Sequence, residues 1–350
     1  MLGVLFYGLL MAGLGLIQPA LLALALPLGA YWLMALWFSP GEPSLAVRRS
    51  LSATRLTEGG TVDVRLEVEN QGEAIDLVWL RDVQPEGVQV VAGTPGRLGM
   101  LGRGELLVCE YTARVSRGVF VYDELEVSTG DGLGLAVQTL HLPAEGMISV
   151  LPRAPRLSSI ALRPEYTHGY HGTIPARRGG AGVAFFGVRN YQPGDALRQV
   201  NWRLGARHPD VLYSNEFQVE AAADISLVLD GRRENYLNLG KQGLFEFAVQ
   251  ATASLAQSFL SEGNRVGLLT FGHAYLWTQP GYGKLQAERI FQALAAVQPG
   301  TVHTEMPESL PAHFARPGSQ LVVVSPLIGW DVSALLRLRA RRYSLLVISP

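Results

Sequence analysis

The chain is 350 residues long, 48% hydrophobic and 17% charged, which is enough for two or three domains with cores of their own. A formal net charge of −1 and an isoelectric point near 6.7 give no global field that would draw in nucleic acid or an acidic substrate. Its single cysteine, Cys109, excludes an internal disulfide framework and any cysteine-built zinc or iron–sulfur site.

Met1–Phe38 contains no charged side chain, and Gln18-Pro19 splits it into two apolar runs, Leu2–Ile17 and Ala20–Phe38. About 20 apolar residues cross a hydrocarbon core as a helix, so the second run qualifies and the first sits near the lower limit. Tyr31, Trp32, Trp37 and Phe38 suit a membrane interface, and the basic n-region of a signal peptide is missing. The pattern predicts a transmembrane helical hairpin over residues 1–39. Arg48, Arg49 and Arg55 follow it without a matching acidic cluster. Excess positive charge of that kind favours the cytoplasmic side. The expectation is therefore a multi-pass protein of the cell membrane, with its soluble domains facing the cytoplasm.

From Ser44 the period changes to two. Val62, Val64, Leu66 and Val68 alternate with Asp63, Arg65, Glu67 and Glu69, and Leu107, Cys109, Tyr111, Ala113 and Val115 repeat the pattern. Cys109 thereby falls among core positions. Turn signals at Asn70-Gln71-Gly72, Pro85-Glu86-Gly87 and Gly102-Arg103-Gly104 come at sandwich-like spacing. Residues 44–151 are predicted to form an all-β, immunoglobulin-like sandwich.

Residues 152–220 open with a Pro-, Gly- and Arg-rich linker, in which His168 and His171 are two histidines without a third metal ligand. The densest run of signals is Phe185–Glu220. Phe185–Tyr191 reads as a strand, Pro193-Gly194 as a type II turn, Asp195 as the cap of a short helical run over Ala196–Val200, and Val211–Val219 as a returning strand. Trp202 reads as a buried anchor, with Asp195, Arg198, Arg203 and Arg207 as a polar network around it. An active site would need a nucleophile–base pair, which this stretch lacks. Its surplus of arginine also suits anionic lipid or an acidic partner.

Residues 221–350 alternate strand and helix: Asp224–Asp230, Leu239–Ser261, Arg265–Phe271, Lys284–Val297, Gln320–Ser325, Val332–Arg341 and Ser344–Ser349. Such alternation gives a mostly parallel sheet covered on both faces. The last strand leaves open whether a further element follows. Ligands sit at the carboxyl ends of strands in these sheets, which singles out Asp230. Gly281-Tyr282-Gly283-Lys284 is not a phosphate loop, since Thr278 and Leu285 stand where that loop needs glycine and a hydroxyl.

The run Arg189-x-Tyr191-x-Pro193-Gly194-Asp195, with Arg198, Asn201-Trp202 and Ala206-Arg207 at fixed spacing beyond it, resembles the hallmark of the domain of unknown function 58 family. The resemblance implies the layout already read from the residues, with the last domain being von Willebrand factor A-like, a Rossmann-like α/β fold. It also implies a MoxR-type AAA+ ATPase as partner, and no assigned reaction. Domains of the von Willebrand type often hold Mg²⁺ on an Asp-x-Ser-x-Ser run. Here that run is Asp230-Gly231-Arg232-Arg233-Glu234, so a cation replaces the first hydroxyl and only Asp230 and Glu234 remain as a degenerate metal site. Ser325-Pro326-Leu327 lacks the acid that relatives carry after the later strand.

These readings converge on a membrane-tethered, non-catalytic scaffold or adaptor that needs no cofactor, docks protein partners and binds no nucleic acid. Its site residues are then Arg189, Tyr191, Pro193, Gly194, Asp195, Arg198, Trp202 and Arg207, acting in structure or in partner binding. Two alternatives compete: a divalent-metal-dependent protein-binding domain using Asp230 and Glu234, and an unrecognised hydrolase using the Asp195 network.

Overall fold

The computed structural model describes residues 2–350 apart from 38–42, 131–136, 159, 161–166, 169–173, 209, 238–242, 303–304, 312 and 328–330. The chain divides into two compact units, Met1–Val150 and Leu151–Pro350. The first opens with helices α1 (Leu2–Gly15) and α2 (Pro19–Trp37), joined at Leu16–Gln18. Phe6 packs over Gly29 so closely that an added Cβ would sit 2.8 Å from its ring.

The expected membrane hairpin is overturned. Among the described residues no helix is long and apolar enough to cross a membrane. The fourteen residues of α1 rise about 21 Å against a hydrocarbon core of about 30 Å. Pro27, inside α2, removes one backbone hydrogen bond of that helix. The multi-pass localisation inferred from the hairpin is corrected with it. Val4 and Leu5 on α1, Leu26 on α2, and Leu16 and Ile17 in the joint between them remain exposed.

Among the described residues, nine strands follow in the first unit: β1 (Leu45–Leu51), β2 (Arg55–Thr57), β3 (Thr61–Asn70), β4 (Ile75–Arg81), β5 (Val88–Gly93), β6 (Gly96–Leu101), β7 (Leu106–Val115), β8 (Gly118–Gly130) and β9 (Val137–Leu151). They form one sheet of order β1-β3-β7-β5 and a second of order β2-β9-β8-β4-β6. Strict alternation buries Val62, Val64, Leu66 and Val68 of β3 against Val78, Leu80, Leu125, Val127 and Ile148 of the other sheet. Cys109 lies in this core, and burial pushes its thiol up, as befits an inert side chain.

One charge crosses the same core. The fully buried Arg49 guanidinium meets Asp82 at 2.5 Å, donates to the Ala144 carbonyl, and lies 4.5 Å from the centre of the Tyr122 ring. The Tyr111 hydroxyl donates to the other Asp82 oxygen at 2.5 Å. Arg49 belongs to β1 and Ala144 to β9, so this network ties one sheet to the other. Arg49, read from sequence as a mark of membrane orientation, is thus an internal side chain.

The second unit contains β10 (Thr167–His168), β11 (Ile174–Asn190), α3 (Trp202–Gly205), β12 (Tyr213–Asp230), α4 (Arg233–Leu237), α5 (Leu244–Ser261), β13 (Arg265–Phe271), β14 (Leu276–Gly281), α6 (Gly283–Ala296), β15 (Gln320–Val324), α7 (Asp331–Ala340) and β16 (Ser344–Ile348). Along the path β14-β13-β12-β15-β16 its sheet pairs parallel except for the antiparallel edge strand β14, and β10 and β11 pair antiparallel with β12 off this path. Ile225, Leu227 and Leu229 face a core built with Ala248, Leu255 and Phe259 of α5 and Ile290 of α6. Val228, Leu321 and Val323 face the opposite core, with Phe314 and with Leu335 and Leu338 of α7. The residue before Leu244 is Gly243, at φ 107°, and the expected helical residues 239–242 lie outside the described ones. Strand β12 runs for eighteen residues, so the stretch divided above at residue 220 is one element. Its first half pairs antiparallel with β11, and its second half forms the centre of the parallel sheet.

Replacing Arg49 by Ala strands a buried carboxylate and should cost the first unit about 3–5 kcal/mol. Burial already raises the Asp82 carboxyl pKa, against the opposing Tyr111 hydrogen bond and Arg49 charge. A raised folded value favours folding below the unfolded carboxylate value, about 4, and loses that advantage as pH rises through the folded value. The loss in Arg49→Ala should therefore grow as pH rises. Denaturant melts over that window check the trend, and a combined Arg49→Met, Asp82→Leu variant should recover most of the stability.

Candidate functional site

Two clusters lie at opposite ends of β12. At its carboxyl end, Asp230 is the last residue of the central strand and is completely buried. The chain leaves β12 towards β13 on one side and returns to β15 on the other, so Asp230 stands at a topological switch point, where open α/β sheets place ligands. The backbone there is packed without room for side chains: Gly231 donates its N–H to the Phe271 carbonyl at 2.7 Å. A Cβ on Gly272, which has φ 123°, would come within 2.2 Å of the Gly231 carbonyl carbon. The following turn delivers Arg232 back over the end of its own strand.

The Arg232 guanidinium is clasped from two sides. Its Nε and Nη2 donate to the two Asp230 oxygens at 2.9 and 2.7 Å, and its Nη1 and Nη2 donate to the two Asp331 oxygens at 2.9 and 2.7 Å. Asp331 opens α7. Asn235 Nδ2 and Ser325 Oγ both donate to Asp230 Oδ2, at 2.8 and 2.7 Å. The Tyr236 hydroxyl donates to the Asp230 carbonyl at 2.6 Å, and burial followed by the Asp230 charge raises its pKa. Burial opposes the charge on Arg232. Hydrogen bonds and charge from the two aspartates outweigh it and hold the guanidinium above the ordinary arginine value.

These residues do not fit a divalent cation. The Arg232 guanidinium occupies the space between the Asp230 and Asp331 carboxylates, with Ser325 Oγ turned onto Asp230 Oδ2. Two unit charges 4 Å apart interact by about 4 kcal/mol at an effective dielectric of ~20, so a divalent ion added beside Arg232 meets strong repulsion. Glu234, read as a remaining oxygen donor, is exposed on α4. The role near Asp230 falls instead to Asn235, one residue on. Among the described residues no group of three or more acids, histidines or cysteines is arranged to hold a metal. Sequence inspection missed Asp331 because it lies 99 residues from Arg232. Its position as the first residue of a helix was the available signal.

The second cluster sits at the amino end of β12. Asp195 receives both terminal nitrogens of Arg189, at 2.8 and 2.7 Å, and the Gln192 N–H at 3.0 Å. The Arg189 hydrogen bond, then that from Gln192, holds the Asp195 carboxyl below the usual range. Such a carboxylate is a poor general base. Arg189 Nε continues to Glu216 of β12 at 2.9 Å, a partner not singled out from sequence. Pro193 and Gly194 make the expected turn, closed by the Asp195 N–H on the Gln192 carbonyl at 3.0 Å with Gly194 at φ 108°. Tyr191 donates its N–H to the Leu212 carbonyl at 2.8 Å, which closes the base of the excursion.

Three expectations here are corrected. Asp195 does not cap a helix, because Arg189 occupies its carboxylate; the short helical turn over Leu197–Gln199 has no side-chain cap. Trp202 is not a buried anchor but 64% exposed, since it occupies the first position of a four-residue helix with no core beneath it. Asn201 caps that helix through the Leu204 N–H at 2.9 Å. Arg198, Arg203 and Arg207 are exposed and outside the polar network, without an ion-pair partner among the described residues. His168 lies on β10, and His171 falls outside the described residues.

An open α/β sheet with a plugged switch point, joined to an arginine–carboxylate hairpin, is the class of structure these residues define. Residues 187–349 match the family model whose description is "Protein of unknown function DUF58". Over 234 residues the chain is 27% identical to the uncharacterized protein YeaD of Bacillus subtilis (strain 168), covering 65% of this chain and 56% of that protein. The chain thus spans little more than half of that relative's length. Among solved structures, a CARDB domain from Pyrococcus furiosus is 17% identical over 31% of this chain and 89% of its own, with a TM-score of 0.22. A non-cellulosomal cohesin from Archaeoglobus fulgidus is 13% identical over 31% of this chain and 91% of its own, also at 0.22.

Because Trp202 is exposed and sits over no core, Trp202→Ala should change stability by no more than about 0.5 kcal/mol. Thermal unfolding of the full chain checks this. A loss of several kcal/mol would restore the buried-anchor reading.

Proposed function

We propose that this chain is a non-catalytic docking protein, and that its hallmark segment, residues 185–220, is the face on which a protein partner seats. The observation that carries the reading is the make-up of this segment: Arg189 is paired with Asp195 and Glu216 as a frame, while Phe185, Phe186, Leu197 and Trp202 are exposed. Large apolar side chains held out on a hydrogen-bonded frame are typical of binding surfaces. The α/β unit resembles a von Willebrand factor A-like domain, and the family resemblance suggests a MoxR-type AAA+ ATPase as partner. In this reading docking requires no metal, because Arg232 takes the place of the cation. The hydrolase alternative draws no support from Asp195, whose carboxylate is held as an ion pair with Arg189.

Site-specific photocrosslinking in cells tests this. A photoreactive residue at position 202 or 197 should give discrete protein adducts that survive chelation of divalent ions, and the same group at exposed Val332 should not. Adducts lost on chelation would favour the metal-dependent alternative. No adduct from either hallmark position would remove the docking reading.

A further inference from the structure

The excursion between Asn190 and Tyr213 is a preformed surface. Its backbone is anchored by Asn201, whose N–H reaches the Tyr213 carbonyl at 2.8 Å and whose side chain donates to Asn215 at 2.8 Å. A bridge from Val200 to Ser214 adds a second tether. Val200 is the buried hydrophobic side chain of this stretch among the described residues, so hydrogen bonds rather than a core fix its shape.

What that frame holds outward is specific in kind. Leu197, Trp202 and Leu212 are 72%, 64% and 49% exposed. Arg203 and Arg207 are four residues apart, and the turn of α3 continues to that point, since the Arg207 N–H bonds the Leu204 carbonyl at 3.0 Å. Arg203 lies in α3 and Arg207 in the turn that follows it, and both side chains are exposed. Arg198 adds a third positive charge, and Asp210 supplies the one carboxylate of the stretch 196–212.

The geometry points to an acidic protein segment, carrying aliphatic side chains between its carboxylates, as the occupant of this surface. The inference rests on the docking reading above and names the chemistry of that partner. Guanidinium forks pair bidentately with carboxylates, and arginine and tryptophan are the residue types that concentrate binding energy in protein interfaces. Leu197 and Leu212, exposed apolar side chains that accompany Trp202 in this excursion, are aliphatic and suit apolar side chains of a partner better than stacked bases. A chain of net charge −1 exerts no long-range pull on a polyanionic polymer or membrane, whereas a short acidic segment responds to the local arginines.

The test uses the full chain and a labelled peptide of alternating glutamate and leucine, read by fluorescence anisotropy. A combined Arg198→Gln, Arg203→Gln, Arg207→Gln variant should weaken binding by about tenfold or more, and Trp202→Ala should weaken it separately. Removing the same charge elsewhere, through Arg289→Gln, Arg316→Gln and Arg339→Gln, should leave binding unchanged. A peptide with lysine for glutamate should gain affinity for an Arg203→Glu, Arg207→Glu variant, a gain that loss of folding cannot mimic. Absence of peptide binding, or equal loss from the two arginine sets, overturns the inference. So does loss in the first set of binding to phosphatidylglycerol vesicles or oligothymidylate while the peptide is unaffected. Crosslinks at position 202 without peptide binding would leave docking intact and remove the acidic chemistry; absence of both would remove both.

Discussion

The Arg232 guanidinium, held between Asp230 and Asp331, is the constraint on which the second unit depends. Three elements meet at it: the end of β12, the residue following β15 through Ser325, and the start of α7. A buried ion triad of this kind is weak evidence for net stability, because desolvation offsets most of the attraction. Its effect is on specificity. The guanidinium lies between the two carboxylates and bonds both, so the switch point that open α/β sheets use for ligands is closed by the chain itself.

One strand connects this closed site to the open face. β12 begins beside the Arg189–Asp195–Glu216 network and ends in Asp230, and both halves are fixed by arginine–carboxylate forks. The two forks do opposite things. At the carboxyl end the arginine is drawn in and buried. At the amino end the fork frames a turn, and the segment beyond it keeps Trp202 and three arginines at the surface. The first unit uses the same device in its core, where Arg49 and Asp82 join the two sheets.

Much of the framework was legible from periodicity. The alternation over Thr61–Glu69 is the buried face of β3, Cys109 is a core residue, and the strand–helix alternation after residue 221 corresponds to the parallel sheet. Asp230 was recognisable because a strand ending in an acid at a sheet's carboxyl edge is a local pattern. The distant members of the cluster were not, since Ser325 follows β15 and Asp331 opens α7, and only tertiary structure brings them to Asp230 and Arg232. Trp202 was misjudged because residue type is a one-way guide to burial: large apolar side chains also occupy binding faces. The apolar N-terminus misled for a related reason. Composition measured its greasiness, whereas spanning also depends on helix length, and no helix among the described residues is long and apolar enough.

Calorimetric titration of Mg²⁺ and Mn²⁺ into the full chain, beside an Arg232→Ser variant, is the most direct test that Arg232 stands in for a cation. With the guanidinium in place no saturable binding should appear at millimolar ion. With serine at that position the vacated space between Asp230 and Asp331 offers carboxylate, hydroxyl and water oxygens suited to a hard cation, and binding should emerge. Saturable sub-millimolar binding by the unmodified chain that disappears in Asp230→Ala would contradict the account.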